Sequence, residues 1–486
     1  MDHLQQIISA WDQQHPKWVA PPEDILRLAD AAKSAKDAAS WLWADTRLAM
    51  EEHSGLTKRE AADMVRSWRI AADLGRSPEG YMDFIAAFVA ARGLRFKVDG
   101  TFVNASKHTL SNADVRNQIA VWAGDHGAFA SAAALNGAWA EWRRLAHKEA
   151  LHACYDQVKF DPTADTTIFD RILDLILHPE ADTLAHRQTA KAVLQNFVHR
   201  VKNAMRGTVL ARTHIMPYLM GVQGSGKTTS VEHLFSPIEE AATATSFDML
   251  EDQSRMMDLT TMPVIFFDEM ANARRSEVNK VKGLMTSRSQ QFRQLYQEAG
   301  KREIISTFIG CGNFDLDTLI MDPSGNRRFF QINVRDRIDL AAIRALDAMA
   351  FWRSVNEDAE APAFQNDIYA LIRGEQAEQR YKTPVERWLD SDHDIPVGRW
   401  ATCELLFTDH FEPWRDRFFP IERYHLGRFG KELKLCCDQR LEHRSRSGRS
   451  EYRLMAPDAS AKSNERPRAF PKVHAIQDIW DGKLAA

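Results

Sequence analysis

Apolar residues recur at helical spacing through the first ninety positions, as at Ile25, Leu28, Ala29 and Ala32. Thr57 and Glu60 have the spacing of a capping box that opens the helix TKREAADMVRSWRIAADL. Leu94–Val98 and Thr101–Val103 then read as a hairpin turned by Asp99–Gly100. Helical spacing returns over Asn112–Gln157 and Asp165–Arg206. Beyond that the chain changes character. Short continuous apolar runs end at Gly221, Asp268 and Asn313, and a fourth spans Phe329–Val334. Such runs read as strands of a parallel sheet buried on both faces. Ala401–Phe418 and Tyr424–Cys437 read as helices, and Arg440–Met455 as a hairpin across Ser447–Gly448. No internal repeat or low-complexity tract is present. The expected class is α/β.

Length and composition narrow this. The 486 residues suit roughly three domains, and 44% hydrophobic with 27% charged residues is ordinary for a soluble globular protein. A disordered chain, a collagen-like fibre and a small disulfide scaffold are excluded. No run approaches 18 apolar residues, and the N-terminus has no secretory pattern, so no membrane association is expected. Five scattered cysteines, Cys154, Cys311, Cys403, Cys436 and Cys437, fit a reducing, cytoplasmic compartment. Eight of the thirteen tryptophans lie in the first 142 residues and five in the last 135, with none between. A middle domain of different type is implied. The formal charge of −4 argues weakly against nucleic acid as a partner, although it averages over several domains.

The middle carries the chemistry. Gly221-Val-Gln-Gly-Ser-Gly-Lys-Thr228 follows an apolar run and precedes an amphipathic stretch, the phosphate-binding-loop pattern in its strand–loop–helix setting. Gly221, Gly224 and Gly226 let backbone amides curl around an anion, with Ser225, Thr228 and Thr229 lining the same turn. Lys227 is placed to reach β- and γ-phosphates, and the Thr228 hydroxyl to ligate Mg²⁺. The bland reading is a glycine-rich turn with an exposed lysine. Met262–Phe267 ends in Asp268 and Glu269, 41 and 42 residues after Lys227. Asp268 is expected in the Mg²⁺ shell and Glu269 as the group that orients the attacking water; an acidic surface turn is the alternative. Asn313 closes another apolar run, as a γ-phosphate sensor or as a turn cap. Arg327 and Arg328 precede the Phe329–Val334 strand, either as fingers for a neighbour's nucleotide or as a surface ion-pairing couple.

These four elements fall in this order within 108 residues, and so resemble superfamily 3 helicases, more closely the virulence-associated protein E family of phage and plasmid ATPases. Val281-Lys-Gly-Leu-Met-Thr-Ser287, Gln291-Phe-Arg-Gln-Leu-Tyr296, Lys301-Arg302 and Gly325-Asn-Arg-Arg-Phe-Phe330 carry the likeness further. It covers about residues 205–335. The resemblance implies a P-loop, AAA+-like ATPase core using ATP and Mg²⁺, in a hexameric ring with nucleotide sites between subunits and a hairpin lining the channel.

Local charge agrees with a DNA partner. Ala271–Glu303 holds eight basic and three acidic residues. Lys301 and Arg302 are expected at a turn before the Asn313 strand, where a channel hairpin would meet single-strand phosphates. Lys282, Arg293 and Tyr296 are further candidates, or members of a solvated helix face. Near the C-terminus, the order helix, helix, hairpin resembles a winged-helix domain. Ile421–Met455 contains nine basic and five acidic residues, and Arg428, Lys431 and Arg446 are its DNA-contact candidates. A module that only packs or binds protein is the alternative.

The expected organisation is a mostly helical N-terminal domain (1–150), a helical lead-in (151–205), the ATPase core (206–345), a helical linker (346–395), a winged-helix-like domain (396–456) and a tail (457–486). The expected function is an ATP-driven helicase or translocase on single-stranded DNA in phage or mobile-element replication. A regulatory or defence-associated ATPase ring without processive unwinding would keep the same residues, and a small-substrate P-loop kinase is the third reading. No metal-binding acidic pair precedes residue 205, so a separate primase or other replication partner is expected if priming is needed.

Overall fold

The computed structural model describes residues 57–455, apart from 77, 129–130, 209–213, 251, 253–254, 271–274, 293–299, 321–326, 380, 392–397, 420–422, 438–440 and 447. Two compact units result. The first comprises residues 1–314 and 328–374, the second 315–327 and 375–486.

The first unit begins with helices α1 (Lys58–Leu74) and α2 (Tyr81–Ala91). Short antiparallel strands β1 (Arg95–Phe96) and β2 (Phe102–Val103) form the expected hairpin, with Gly100 in the left-handed region at φ 81°. A third strand, β3 (Thr109–Leu110), pairs with β2; two residues are too few to give a period. The helical run that follows is two helices, α3 (Asn112–Asp125) and α4 (Ala132–Val158). Ser111 caps α3 in a reciprocal capping box with Asp114. Phe84, Phe88, Phe102, Trp122 and Trp139 fill the core between them. Residue 150 lies inside α4, and that helix packs on the segment Ser236–Ala241. Arg95 pairs with Glu240 at 2.5 Å, and the His147 ring meets the Thr261 carbonyl at 2.9 Å. The N-terminal elements and the sheet below therefore form one body.

An amphipathic helix, α5 (Ile168–Ile176), and a helix buried almost all round in its second half, α6 (Leu184–Met205), lead to strand β4 (Met216–Met220) and helix α7 (Lys227–Phe235). Strands β5 (Ala242–Thr245) and β6 (Val264–Phe267) follow, then helix α8 (Arg275–Thr286). The hairpin β7 (Ser289–Phe292) and β8 (Gly300–Glu303) precedes β9 (Thr307–Gly312) and β10 (Phe329–Asn333). The apolar run Glu303–Asn313, which reads as one strand in the sequence, is thus divided between β8 and β9. The chain breaks after Glu303, where the Ser306 hydroxyl donates to the Met262 carbonyl at 2.6 Å. Five strands form a wholly parallel sheet in the order β10-β4-β9-β6-β5. β9, late in sequence, sits between β4 and β6.

Lys202 of α6 is fully buried and pairs with Glu357 at 2.6 Å. Its ammonium also donates to the carbonyls of Val355 (2.7 Å) and Trp352 (3.2 Å), and Tyr155 donates to the Glu357 carboxylate. This ties α6 to the turn after helix Ala348–Arg353.

In the second unit, helix Pro384–Asp390 precedes strand β11 (Trp400–Thr402), and helical turns run over Cys403–Phe418. Helix Leu426–Leu435 and strands β12 (Leu441–Arg446) and β13 (Arg449–Leu454) complete it. Residues 401 and 402, expected as helix, are strand, because β11 pairs with β13 and the sheet order is β11-β13-β12. The Trp400 ring is held there beneath Arg444 and Arg453, whose guanidinium carbons lie 4.0 and 4.9 Å from its centroid. Trp388, Phe411, Phe429 and Leu433 are its core.

Lys202→Met leaves the Glu357 charge buried without its cation and should cost about 3–5 kcal/mol in denaturant unfolding. Changing both partners to apolar residues should recover most of that loss; a loss equal to that of the single variant would refute the pairing.

Candidate functional site

A strand that ends in a tight turn into a helix puts its last residues and the first helical amides around one point. β4 ends at Met220, and α7 begins at Lys227. Gly226 caps α7 at φ 99°, a conformation a side chain would strain, and no side chain caps the amides of the first turn. The loop is held by the chain that follows β10. A Cβ at Gly221 would lie 2.6 Å from Val334 Cγ2, and the Ile338 amide donates to the Ser225 carbonyl at 2.9 Å. Ile338 and Leu340 side chains close on Gly226.

Lys227 is buried, and its ammonium donates to the carbonyls of Gly221 and Val222, both at 2.8 Å. It also reaches Ser225 Oγ and Asn313 Oδ1, each at 3.2 Å. Burial lowers its pKa, while the nearby Asp268 charge acts in the opposite sense. The Thr228 hydroxyl donates to Asp268 Oδ1 at 2.5 Å, and Thr229 is half-buried beside it. Asp268 and Glu269 are exposed in the turn after β6, which the Met270 amide ties to β9 through the Cys311 carbonyl at 3.0 Å.

Asn313 reaches Lys227 because β9 lies directly against β4. The Gly221 amide donates to the Gly312 carbonyl, and the Tyr218 hydroxyl donates to the Phe314 carbonyl at 2.7 Å, bracketing Asn313. Lys227, Thr228, Asp268 and Asn313, expected together from sequence, meet at the C-terminal edge of the sheet, where ligands bind in open parallel sheets. The holding residues Tyr218, Val334, Ile338 and Leu340 were not anticipated. Their one trace in the sequence is Gly310-Cys-Gly312, where small residues in an apolar strand mark a close approach.

The arginines lie elsewhere. In the parallel register Phe329 is opposite Met216 and Asn333 opposite Met220, so Arg328 stands where β4 begins. That is the length of the strand away from the loop, about 16 Å at ~3.3 Å per residue. Arg328 is half-buried, and Arg327 is exposed.

Lys301 and Arg302 are exposed on β8, opposite Gln291 and Gln290 of β7. They occupy the returning strand of a hairpin rather than a turn; its connection, with Arg293 and Tyr296, lies outside the described residues, as do residues 1–56 and the tail from 456. Lys282 is buried at 7% exposure and so does not lie on a solvated face. In the second unit Arg428 stacks on Tyr424 (3.9 Å) and pairs with Glu432 at 2.9 Å. Lys431 and Arg446 are exposed, and Arg446 stands directly opposite Arg449 across the hairpin.

Residues 161–381 match the virulence-associated protein E-like domain. Among solved structures, the apo structure of the NrS-1 C-terminal region (305–718) is 13% identical, with 62% of this chain and 78% of that chain covered at a TM-score of 0.38. The A form apo structure of the NrS-1 C-terminal region is 10% identical, with 76% and 99% covered at 0.41. No curated protein matches the chain. Among the described residues, no helix is long and apolar enough to cross a membrane.

A methyl group at Gly312 would lie 2.2 Å from the Tyr218 hydroxyl. Gly312→Ala should therefore destabilise the first unit by about 1–3 kcal/mol, read from its melting curve. Adding Tyr218→Phe should recover part of it, and no recovery would place the clash elsewhere.

Proposed function

We propose that this chain is a ring-forming ATPase that uses ATP and Mg²⁺ to translocate on single-stranded DNA in the replication of a phage or mobile element. The observation that carries the reading is the meeting of Lys227, Thr228, Asp268 and Asn313 around the loop before α7. The order β10-β4-β9-β6-β5, with one strand between the loop strand and the acidic strand, supports an AAA+-like P-loop core. The match over 161–381 points to the same family.

Loop amides and Lys227 would cradle the β- and γ-phosphates. The Thr228 and Asp268 oxygens suit Mg²⁺, which prefers one or two protein oxygens beside phosphate and water. Bound there, the ion would neutralise charge on the transferred phosphoryl group. Glu269, exposed on the same turn, would orient the water, and Asn313 would sense the γ-phosphate. Arg328 stands too far from its own loop to act there, so its role is on a neighbouring subunit's nucleotide, and exposed Arg327 beside it in sequence is the second candidate for that role. The β7–β8 hairpin with Lys301 and Arg302 would line the channel. In the second unit, helix, strand, two helices and a hairpin have the order of a winged helix, with Lys431 and Arg446 outside the ion pairs among the described residues, unlike Arg428. A regulatory ring that hydrolyses ATP without unwinding has the same site; strand displacement on forked DNA separates the two.

Lys227→Ala should abolish ATP hydrolysis, and Arg327→Ala should lower it by about 10³-fold or more. Mixed together, the two inactive variants should regain activity, because some interfaces pair an intact loop with an intact arginine. Absence of regain in mixed rings would remove the trans role of Arg327.

A further inference from the structure

Between Asn313 and Arg328 the chain leaves the parallel sheet and joins the second unit, for residues 315–327 belong with 375–486. Two ties hold this excursion there. Near its start, Asp317 of the short helix Leu316–Leu319 pairs with Arg387 at 3.3 Å, and Arg387 is the residue before Trp388 of that unit's core. At its end, the Gln376 side-chain amide donates to the Arg327 carbonyl at 3.1 Å. Gln376 stands in the last turn of helix Asn366–Glu378 at 2% exposure, where a low dielectric strengthens the bond. The bonded carbonyl belongs to the peptide that joins Arg327 to Arg328, and at that peptide the chain passes back to the first unit. One residue on, the Arg328 carbonyl accepts from the Met216 amide at 2.7 Å, where β10 begins its register with β4. Consecutive carbonyls are thus gripped in different units, one by Gln376 and the next by the sheet.

A peptide unit is planar, so holding its carbonyl restrains ψ of the residue before it and φ of the residue after. At this peptide those residues are the two arginines, and the restraint sets the directions in which their side chains leave the chain. Lys227, Thr228, Asp268 and Glu269 all belong to the first unit, whereas Gln376 and the excursion belong to the second. A change at Gln376 therefore acts on the arginines and leaves the phosphate loop of its own chain intact. We propose that Gln376 is a positioning residue, through which the second unit sets how Arg327 and Arg328 are presented to a neighbouring subunit's nucleotide. It rests on the trans role of that pair proposed above, and it holds whichever of the two arginines reaches the phosphate.

The test is steady-state ATP hydrolysis by the full-length protein. Gln376→Met keeps the length of the side chain and removes its donor. It should lower kcat about tenfold, the worth of one hydrogen bond, and leave KM for ATP within about twofold, because the loop that binds ATP is untouched. Mixed with Lys227→Ala, it should hydrolyse ATP severalfold faster than the two variants assayed apart. In such rings the Lys227→Ala subunit presents a correctly held arginine pair to the intact loop of its Gln376→Met neighbour. Damage that had spread to the variant's own loop would gain nothing from Lys227→Ala, since neither subunit would then own a working loop. Gln376→Asn keeps an amide but is one methylene too short, and it gives the same reading if the methionine variant does not fold. Parent-like kcat for the Gln376 variants, while an Arg327→Ala or Arg328→Ala protein is inactive, would overturn this proposal alone. So would a low kcat that Lys227→Ala does not complement although it complements the arginine variant. Full hydrolysis by both arginine variants would overturn the trans reading and this proposal with it.

Discussion

Five strands that run the same way deliver all their C-terminal ends to one edge, and there the chain is most crowded. The contact of β9 with β4 is the tightest point. Tyr218 leaves room for nothing larger than hydrogen at position 312, and Val334 does the same at Gly221. That compression brings Asn313 within hydrogen-bonding reach of Lys227, while the Cys311 carbonyl holds the acidic turn through Met270. A looser sheet would keep the same residues but scatter them over loops. Parallel geometry also fixes what cannot meet: Arg328, at the start of β10, is kept a strand's length from the loop its neighbours surround.

What was legible in the sequence follows this division. The loop, the acidic pair and Asn313 could be read because each is consecutive with an apolar run, and strand ends announce themselves locally. Strand order could not be read, since no periodicity says which strand lies beside which, and β9 entering between β4 and β6 is a tertiary fact. The β7–β8 hairpin was suggested by the family resemblance and not by its own pattern. Ser289–Phe292 and Gly300–Glu303 hold a single apolar residue, Phe292, so no alternation marks them. Ala401 and Thr402 looked like a helix start because β13, the strand they pair with, lies some fifty residues away. Lys282 looked solvated because helical spacing records polarity, not burial.

The N-terminal elements change the meaning of the domain count. A boundary near 150 is natural where Trp-rich sequence gives way, yet α4 runs through it and packs beside the central sheet. The Arg95–Glu240 pair and the His147–Thr261 contact make the join polar as well as apolar. Composition had changed where architecture had not. Net charge misleads similarly, for the overall −4 averages over Ala271–Glu303, a segment with eight basic and three acidic residues.

The hairpin β12–β13 carries two like charges face to face, Arg446 against Arg449. Repulsion across that rung opposes the pairing of the two strands when ions are scarce and fades as the Debye length shrinks to about 10 Å near 0.1 M salt. Salt thus relieves the rung while it would weaken any hold on a polyanion, so pairing and grip respond to the same solvent in opposite directions.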